Sequence, residues 1–345
     1  NIGSVYHMME DSRGNIWFST KGNGVVLAEP DPKSRYGFRF SRYTYDEENP
    51  NSLSGNDVYY TYEDSKNRVW IALFGGGLNL TQWQQGKLTF KNKFNSFEKH
   101  PGYGLYMEVR NIAEDKEGRL WVGTSDGLLS FPISFTNPDK IDFEIYRNET
   151  ANSNVSDNDI YVLYKDSEQD LWAGVFGGGI NKLTGYDEKK HRPIFKQYSN
   201  RTGLKSNVIL SIIEDNSNGL WLATENAISR FDKKTETFRN YDRYDGFMDM
   251  KMEEESAVRL QSGELLFGTR NGILSFDPKK IETYNCNYQT FIVDFKVSNR
   301  DLNSFTDDPI LKSSIKYANS ITLKHNQSNF VVEFAALNYY NQNRV

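Results

Sequence analysis

One cysteine, Cys286, stands in 345 residues. No internal disulfide framework is possible, although a large core needs no such staples and an oxidising compartment remains open to the chain. No run approaches the ~18–20 consecutive apolar residues that cross a bilayer as a helix. No stretch holds a capped 3.6-residue apolar period through three turns, which argues against helical architecture. Lysine and arginine number 41 against 46 acidic residues and form no basic stripe, so direct nucleic-acid contact is not expected. The four histidines, His7, His100, His191 and His325, are scattered, and neither His-Glu-x-x-His nor Gly-x-Ser-x-Gly occurs. The runs Phe74-Gly-Gly-Gly77 and Phe176-Gly-Gly-Gly179 lack the Lys-Ser/Thr and the helix of a phosphate loop. No cofactor, metal or linear catalytic motif is therefore expected.

What the chain does contain is one sentence written six times. Asp11-Ser-Arg-Gly-Asn-Ile-Trp17 returns at Asp64–Trp70, Asp115–Trp121, Asp166–Trp172 and Asp215–Trp221, with a worn copy at Gln261-Ser-Gly-Glu-Leu-Leu266. The anchors are 53, 51, 51, 49 and 45 residues apart. A period of about 40–50 residues marks a propeller or a solenoid. Each unit has short β-branched and aromatic runs bounded by Asn, Asp, Ser and Gly, as in Val58–Tyr62, Arg68–Leu73, Gly77–Thr81 and the run near Phe90. Four antiparallel strands per unit make a propeller blade.

The repeated residues read as mechanical parts. The Asp six places before each Trp sits at the turn between the first two strands, where its carboxylate can accept backbone N–H bonds. Gly14, Gly118 and Gly219, with Asn67 in the second copy, are expected where that turn needs φ > 0. Gly24, Gly77, Gly127, Gly179 and Gly272 do the same for the following turn. Each Trp is expected between neighbouring blades. Calcium binding by the five Asp residues is disfavoured, because the distal Glu of a calcium loop is missing and a site occurs once whereas a structural need recurs. Cys286 reads as a packing residue.

The period stops near Asp277-Pro278. Alternating runs at Thr290–Ser298, Ser320–Lys324 and Asn329–Ala335 then suggest strands of a second β domain, a sandwich, with too few strands to close two sheets. The expected division is residues 1–280 for the blades and 281–345 for the sandwich. The chain opens at Asn1-Ile-Gly-Ser-Val5, inside what reads as a first strand. It is expected to be part of something longer.

The repeats resemble the two-component regulator propeller repeat, Asp-x-x-Gly-x-Leu-Trp-hydrophobic-Gly-Thr followed by an aromatic Phe-x-x-Tyr strand. That strand appears as Phe40-x-x-Tyr43, Phe143-x-x-Tyr146, Phe195-x-x-Tyr198 and Phe238-x-x-Tyr241. The segment Leu323 to Tyr339 is similar to the first half of the Tyr-rich sandwich that follows such propellers. The resemblance covers residues 1–277 and part of the tail. It implies an all-β fold: six visible blades of a seven-bladed ring, then a partial Ig-like β-sandwich. It further implies the periplasmic sensor region of a hybrid two-component protein, detecting an oligosaccharide. In such a parent an upstream propeller and a membrane-linked kinase share the chain, and the parent is a dimer.

A propeller does not itself specify chemistry. Function is expected in loops at the ring's mouth, reached by the connections into each first strand and between second and third strands. The candidates for ligand binding are Asn23, Asn56, Phe74, Arg110, Asp126, Asn158, Phe176, Asn207, Glu225 and Arg270, with Lys21, Asp57, Asp159, Asn226 and Lys251 beside them. Amides, carboxylates, arginine and aromatics suit sugar hydroxyls and rings, although surface loops contain them anyway. The Phe of each Phe-Gly-Gly-Gly run reads either as a partly buried turn residue or as an aromatic platform. The rival readings are a propeller glycoside hydrolase or lyase, whose paired acids could arise in three dimensions, and a protein-interaction propeller. A sialidase-type repeat places Asp one residue nearer Trp. A WD repeat is disfavoured because no Asp follows a repeat Trp.

Overall fold

The structure, a computed structural model, describes residues 3–101, 104–148, 155–187, 189, 192–242, 245, 247, 251–281, 290–298, 300–302, 310–311 and 314–336. Cys286 and His191 lie outside the described residues. The chain forms two compact units, Asn1–Lys280 and Ile281–Val345. The first unit is six antiparallel sheets in chain order, the blades of a propeller. Blade 1 comprises Val5–Glu10, Ile16–Thr20, Val25–Pro30 and Phe38–Tyr43; blade 2 runs Val58–Glu63, Val69–Leu73, Gly77–Gln84 and Lys87–Lys91. Blade 3 begins at Val109–Glu114, blade 4 at Ile160–Lys165, blade 5 at Ile209–Glu214 and blade 6 at Met252–Arg259. Each sheet is a meander, and the first strands of successive blades pack against one another. Among the described residues the helical elements are short 3₁₀ turns, and no helix is long and apolar enough to cross a membrane.

The Asp turn shows why the repeat is written as it is. One oxygen of Asp11 accepts the N–H groups of Arg13 and Asn15, each at 3.0 Å. The other accepts the indole N–H of Trp17 at 2.8 Å. The same indole bond recurs at Asp64–Trp70 (2.9 Å), Asp115–Trp121 (2.6 Å), Asp166–Trp172 (2.9 Å) and Asp215–Trp221 (2.8 Å). Burial alone raises the Asp215 carboxyl's pKa. The bonds from Trp221, Gly219 and Arg230 outweigh it and hold the group below its ordinary value. The left-handed position of the turn is the third residue after Asp: Gly14, Asn67, Gly118, Gln169 and Asn218, with φ between 57° and 79°. The expectation for Gly219 is thus displaced by one residue. A Cβ at Gly219 would lie 2.5 Å from the Arg230 guanidinium carbon and would push that flexible group from its pairing with Asp215.

Each Trp is buried against the next blade. Trp17 packs on Val58, Ile71 and Phe90; Trp172 packs on Ile209, Leu222 and Phe231. Burying one indole contributes roughly 4–6 kcal/mol as an upper bound. Phe195 of a Phe-x-x-Tyr strand returns the contact, edge-on to Trp121 at 6.1 Å. On the opposite face of the ring, Glu63 accepts the backbone N–H and the hydroxyl of Ser12, both at 2.7 Å. Glu114 accepts the backbone N–H of Ser65, and Glu214 accepts both the backbone N–H and the hydroxyl of Ser167. At the junction of blades 3 and 4, Lys165 replaces the Glu, and Lys116 pairs with Asp170 instead.

This logic leaves two faces bare. Phe40 occupies the register of Phe90 and Phe195, yet it is 55% exposed where they are 2% and 5%. Ile273 occupies the register of Val25, Leu78, Leu128, Ile180 and Ile228, which are at most 1% exposed, yet it is 69% exposed. Blade 6 also departs from the expected four strands. Among the described residues it has three, ending at Gly272–Phe276, so its outer edge is unpaired. Leu266, in the Trp place, is only half-buried.

In the second unit the described strands Thr290–Val297, Arg300–Asp301 and Phe330–Ala336 form one three-stranded sheet around Phe295 and Val297. The expected strand at Ser320–Lys324 is irregular, and no described strand pairs with it. No second sheet is present among the described residues of this unit.

Equivalent motif residues should therefore differ in cost. Phe195→Ala is expected to lower the unfolding free energy by about 3–5 kcal/mol through loss of packing between blades. Phe40→Ala is expected to cost under about 1 kcal/mol. Urea denaturation of both variants checks this, and equal losses would contradict the blade-on-blade account.

Candidate functional site

The ring's mouth is built by one repeated irregularity. In each of the first five blades the first strand carries one extra residue near its start. His7 pairs with Ser19 and Val5 with Thr20, leaving Tyr6 out of register. Tyr59, Arg110, Tyr161 and Leu210 are the corresponding residues of blades 2 to 5. A β-bulge turns its extra side chain away from the pleat, here out of the wall between blades and toward the mouth. Blade 6 exaggerates the device: Glu253 to Ser256 lie opposite the single residue Gly268. Glu255 holds a left-handed φ of 53° within that excursion, which for a side chain with Cβ costs of order 1 kcal/mol.

The bulged side chains meet residues from the turns after each second strand, at the same end of the blades. Tyr6 and Tyr59 lie 4.6 Å apart between centroids, and Tyr59 stacks on Phe74 at 5.2 Å. The Arg110 guanidinium lies 5.5 Å from the Phe74 ring and 4.5 Å from the Tyr161 ring. Tyr161 meets Phe176 at 5.3 Å. Arg110 also reaches Asp159 at 3.4 Å and Glu254 at 3.2 Å, so it ties blade 3 to blades 4 and 6. Beside it a cavity of about 380 Å³ is lined by Tyr161, Phe176, Glu225, Asn226, Lys251 and Glu254, among others.

Burial governs the electrostatics. It raises the pKa of Asp159 and of Glu254 against the opposing pull of Arg110. It raises Glu255 well above 4.5; the Oε1 of this carboxyl accepts the Asn111 amide at 2.5 Å. It pushes the Tyr59 phenol up to about 12 and His7, stacked on Tyr60 at 3.9 Å, down to about 4. The mouth thus presents aromatic rings, a clamped guanidinium and carboxyls with hydrogen-bonding capacity.

Of the ten residues proposed from sequence, Phe74, Arg110, Phe176 and Glu225 converge here. Arg270 adjoins them, its backbone N–H donating to the carbonyl of Lys251 at 2.9 Å. Asn56, Asn158 and Asn207 do something else. Their side-chain oxygens accept the backbone N–H of Tyr45, Asn148 and Asn200 at 2.7–2.8 Å, bracing the same loop in three blades. Asn23 donates to the carbonyl of Lys21, and Asp126 pairs with Arg147 at 2.8 Å. Sequence reasoning did not single out Tyr6, Tyr59, Tyr161 or Glu254. Their signal was the doubled phase at each strand start, such as Tyr59-Tyr60, where strict alternation slips by one.

Glu255 supplies a test. Its folded pKa lies above the unfolded value, so its favourable contribution is complete below about pH 4.5 and is lost as pH rises. Glu255→Gln keeps the acceptor for Asn111 without the charge. Urea midpoints of variant and parent should coincide near pH 4, with the variant becoming the more stable toward about pH 8. A variant less stable at both ends would contradict the buried-carboxyl reading.

Comparison with known proteins fits this geometry. The family described as two component regulator propeller matches residues 1–22, 52–75, 104–126 and 203–226. Histidine kinase P4 of Formosa agariphila is 25% identical over 308 residues, covering 86% of this chain and 21% of that protein. The chain thus spans about a fifth of that relative's length. Among solved structures, the extracellular domain of a putative hybrid two-component system from B. thetaiotaomicron is 20% identical, with 97% of this chain and 46% of that one covered and a TM-score of 0.48. Virginiamycin B lyase from Staphylococcus aureus is 14% identical with a TM-score of 0.53 and 80% of each chain covered, a likeness of propeller fold alone. The matched repeats coincide with the Asp turns, Trp anchors and bulged first strands described above, so those four segments of the chain are similar to the two component regulator propeller repeat.

Proposed function

We propose that this chain is a non-catalytic, periplasmic sensor part of a hybrid two-component protein, and that its mouth binds an oligosaccharide. The observation that carries the glycan reading is the row Tyr6, Tyr59, Phe74, Arg110, Tyr161 and Phe176. Aromatic rings offer flat apolar faces, and the flanking carboxyls and amides offer hydrogen bonds, the mix expected of a specific small-ligand site. The family supports the sensor reading, as does a relative named as a histidine kinase. The kinase, an upstream propeller and dimerisation belong to the parent protein in this reading. Signalling requires a ligand that prefers one arrangement of propeller and following domain over another, since equal affinity shifts nothing. The connection between Phe276 and Thr290, partly outside the described residues, is where that preference would be transmitted.

The bare faces of blades 1 and 6 support a seventh blade contributed by further chain of the parent, with a strand completing blade 6. The sheet of the second unit would likewise become a sandwich with additional strands. Hydrogen exchange compares this chain with a longer parent region. Protection of Phe38–Tyr43 and Gly272–Phe276 should rise in the longer region, and unchanged exchange there would refute the seventh blade.

Calorimetry of the parent's whole extracytoplasmic region against a glycan library, with product analysis of the same samples, tests the function. Binding of one intact oligosaccharide is expected, weakened about tenfold or more by Tyr161→Ala, the equivalent of some 1.4 kcal/mol. Turnover of a glycan would establish the enzyme instead. Binding only to a protein partner would establish an interaction module.

A further inference from the structure

Arg110 is the natural place to seek an anion receptor, and its geometry argues the opposite. Its guanidinium lies against two rings, Tyr161 and Phe74. Its nitrogens face Asp159 and Glu254. The side chain is 14% exposed. Two carboxylates on one guanidinium leave a local charge of about −1 when both are ionised, and no positive charge is left over for a ligand sulfate or carboxylate. More acid surrounds the cluster. Asp157 and Glu108 act on Asp159, and Glu253 acts on Glu254, each as a like charge. The adjoining cavity is lined by Glu225 and Glu254 against one ammonium, Lys251; the Lys21 ammonium lies 5.9 Å from the Tyr6 ring, at the blade 1 end of the row, so the acidic excess sits at the Arg110 and cavity end.

The apolar part of the mouth is extended rather than a single spot. Tyr6, Tyr59, Phe74, Tyr161 and Phe176 come from blades 1, 2 and 4, and Arg110 of blade 3 bridges the middle of the row. Consecutive members of the row, ring centroids or the Arg110 guanidinium carbon, are 4.5–5.5 Å apart, with Phe176 at the far end 45% exposed. A row of this kind offers successive contacts to a chain of sugar rings.

Resting on the glycan reading above, we propose that the mouth selects an uncharged oligosaccharide several sugar rings long, laid along the aromatic row from blade 1 to blade 4, and rejects sulfated or uronate chains. Rejection follows from like charge in a partly desolvated site, which disfavours wrong ligands more than it strengthens right ones.

The experiment is calorimetry of the whole extracytoplasmic region with two probe sets of graded length. One set is neutral gluco-, manno- and xylo-oligosaccharides; the other is oligogalacturonates, alginate oligomers and sulfated galactan oligomers. Expected is binding of a neutral series that tightens with length, with every anionic oligomer at least about tenfold weaker at low salt. The gap should narrow at about 0.5 M salt, where charges are screened. It should also narrow in Glu225→Lys, whose added cation lies at the cavity wall. Anionic oligomers binding as well as or better than neutral ones at low salt would overturn the selectivity while leaving the glycan reading standing. Failure of both probe sets to bind would overturn the glycan reading and this inference together.

Discussion

The hydrogen bond from a tryptophan indole to an aspartate six residues earlier is the interaction on which the ring depends. It joins two demands in one carboxylate. One oxygen closes the turn between the first two strands; the other fixes the indole that the next blade covers. The Trp near the start of the second strand is thereby oriented before the next blade docks, and its polar edge is satisfied where water cannot reach. Loss of the Asp would leave a buried N–H unpaired as well as loosening the turn, so the residue acts beyond its local loop. Where the pair has worn away, to Leu260 and Leu266, the blade is also the one with three described strands.

A scaffold held this rigidly leaves one variable position per blade for function. The bulge near the start of each first strand removes a residue from the wall between blades and aims it at the mouth. Tyr, Tyr, Arg, Tyr and Leu follow in chain order, and blade 6 substitutes a four-residue excursion bearing Glu254 and Glu255. Neighbouring turns then add Phe74, Phe176 and Glu225. The candidate site is thus shared among blades, and the Arg110 pair with Glu254 joins first strands of non-adjacent blades.

The repeat was legible because its parts act locally: a turn carboxylate, a left-handed residue three places on, an apolar anchor. The indole bond was not, since nothing in a string of letters says that a side chain six residues away folds back on the turn. Asn56, Asn158 and Asn207 carried a readable warning. They recur at one blade position, and the recurrence that marked Asp as scaffold applied to them as well. Tyr59 and Tyr161 were hidden because a one-residue slip in strand pairing changes which face a side chain takes, while the composition stays that of an ordinary strand. Ser320–Lys324 has the alternation of a strand, but alternation makes a strand only where an edge is available to pair with it.

A double-mutant cycle on Asp115 and Trp121 tests the central claim most directly. Asp115→Ala, Trp121→Phe and the double variant are compared with the parent by urea unfolding. Phe keeps most of the buried ring and removes the N–H. A coupling energy of about 1–3 kcal/mol is predicted, with the Asp change costing clearly less once the indole N–H is gone. Strictly additive losses would show that turn and anchor are independent, and would contradict the account.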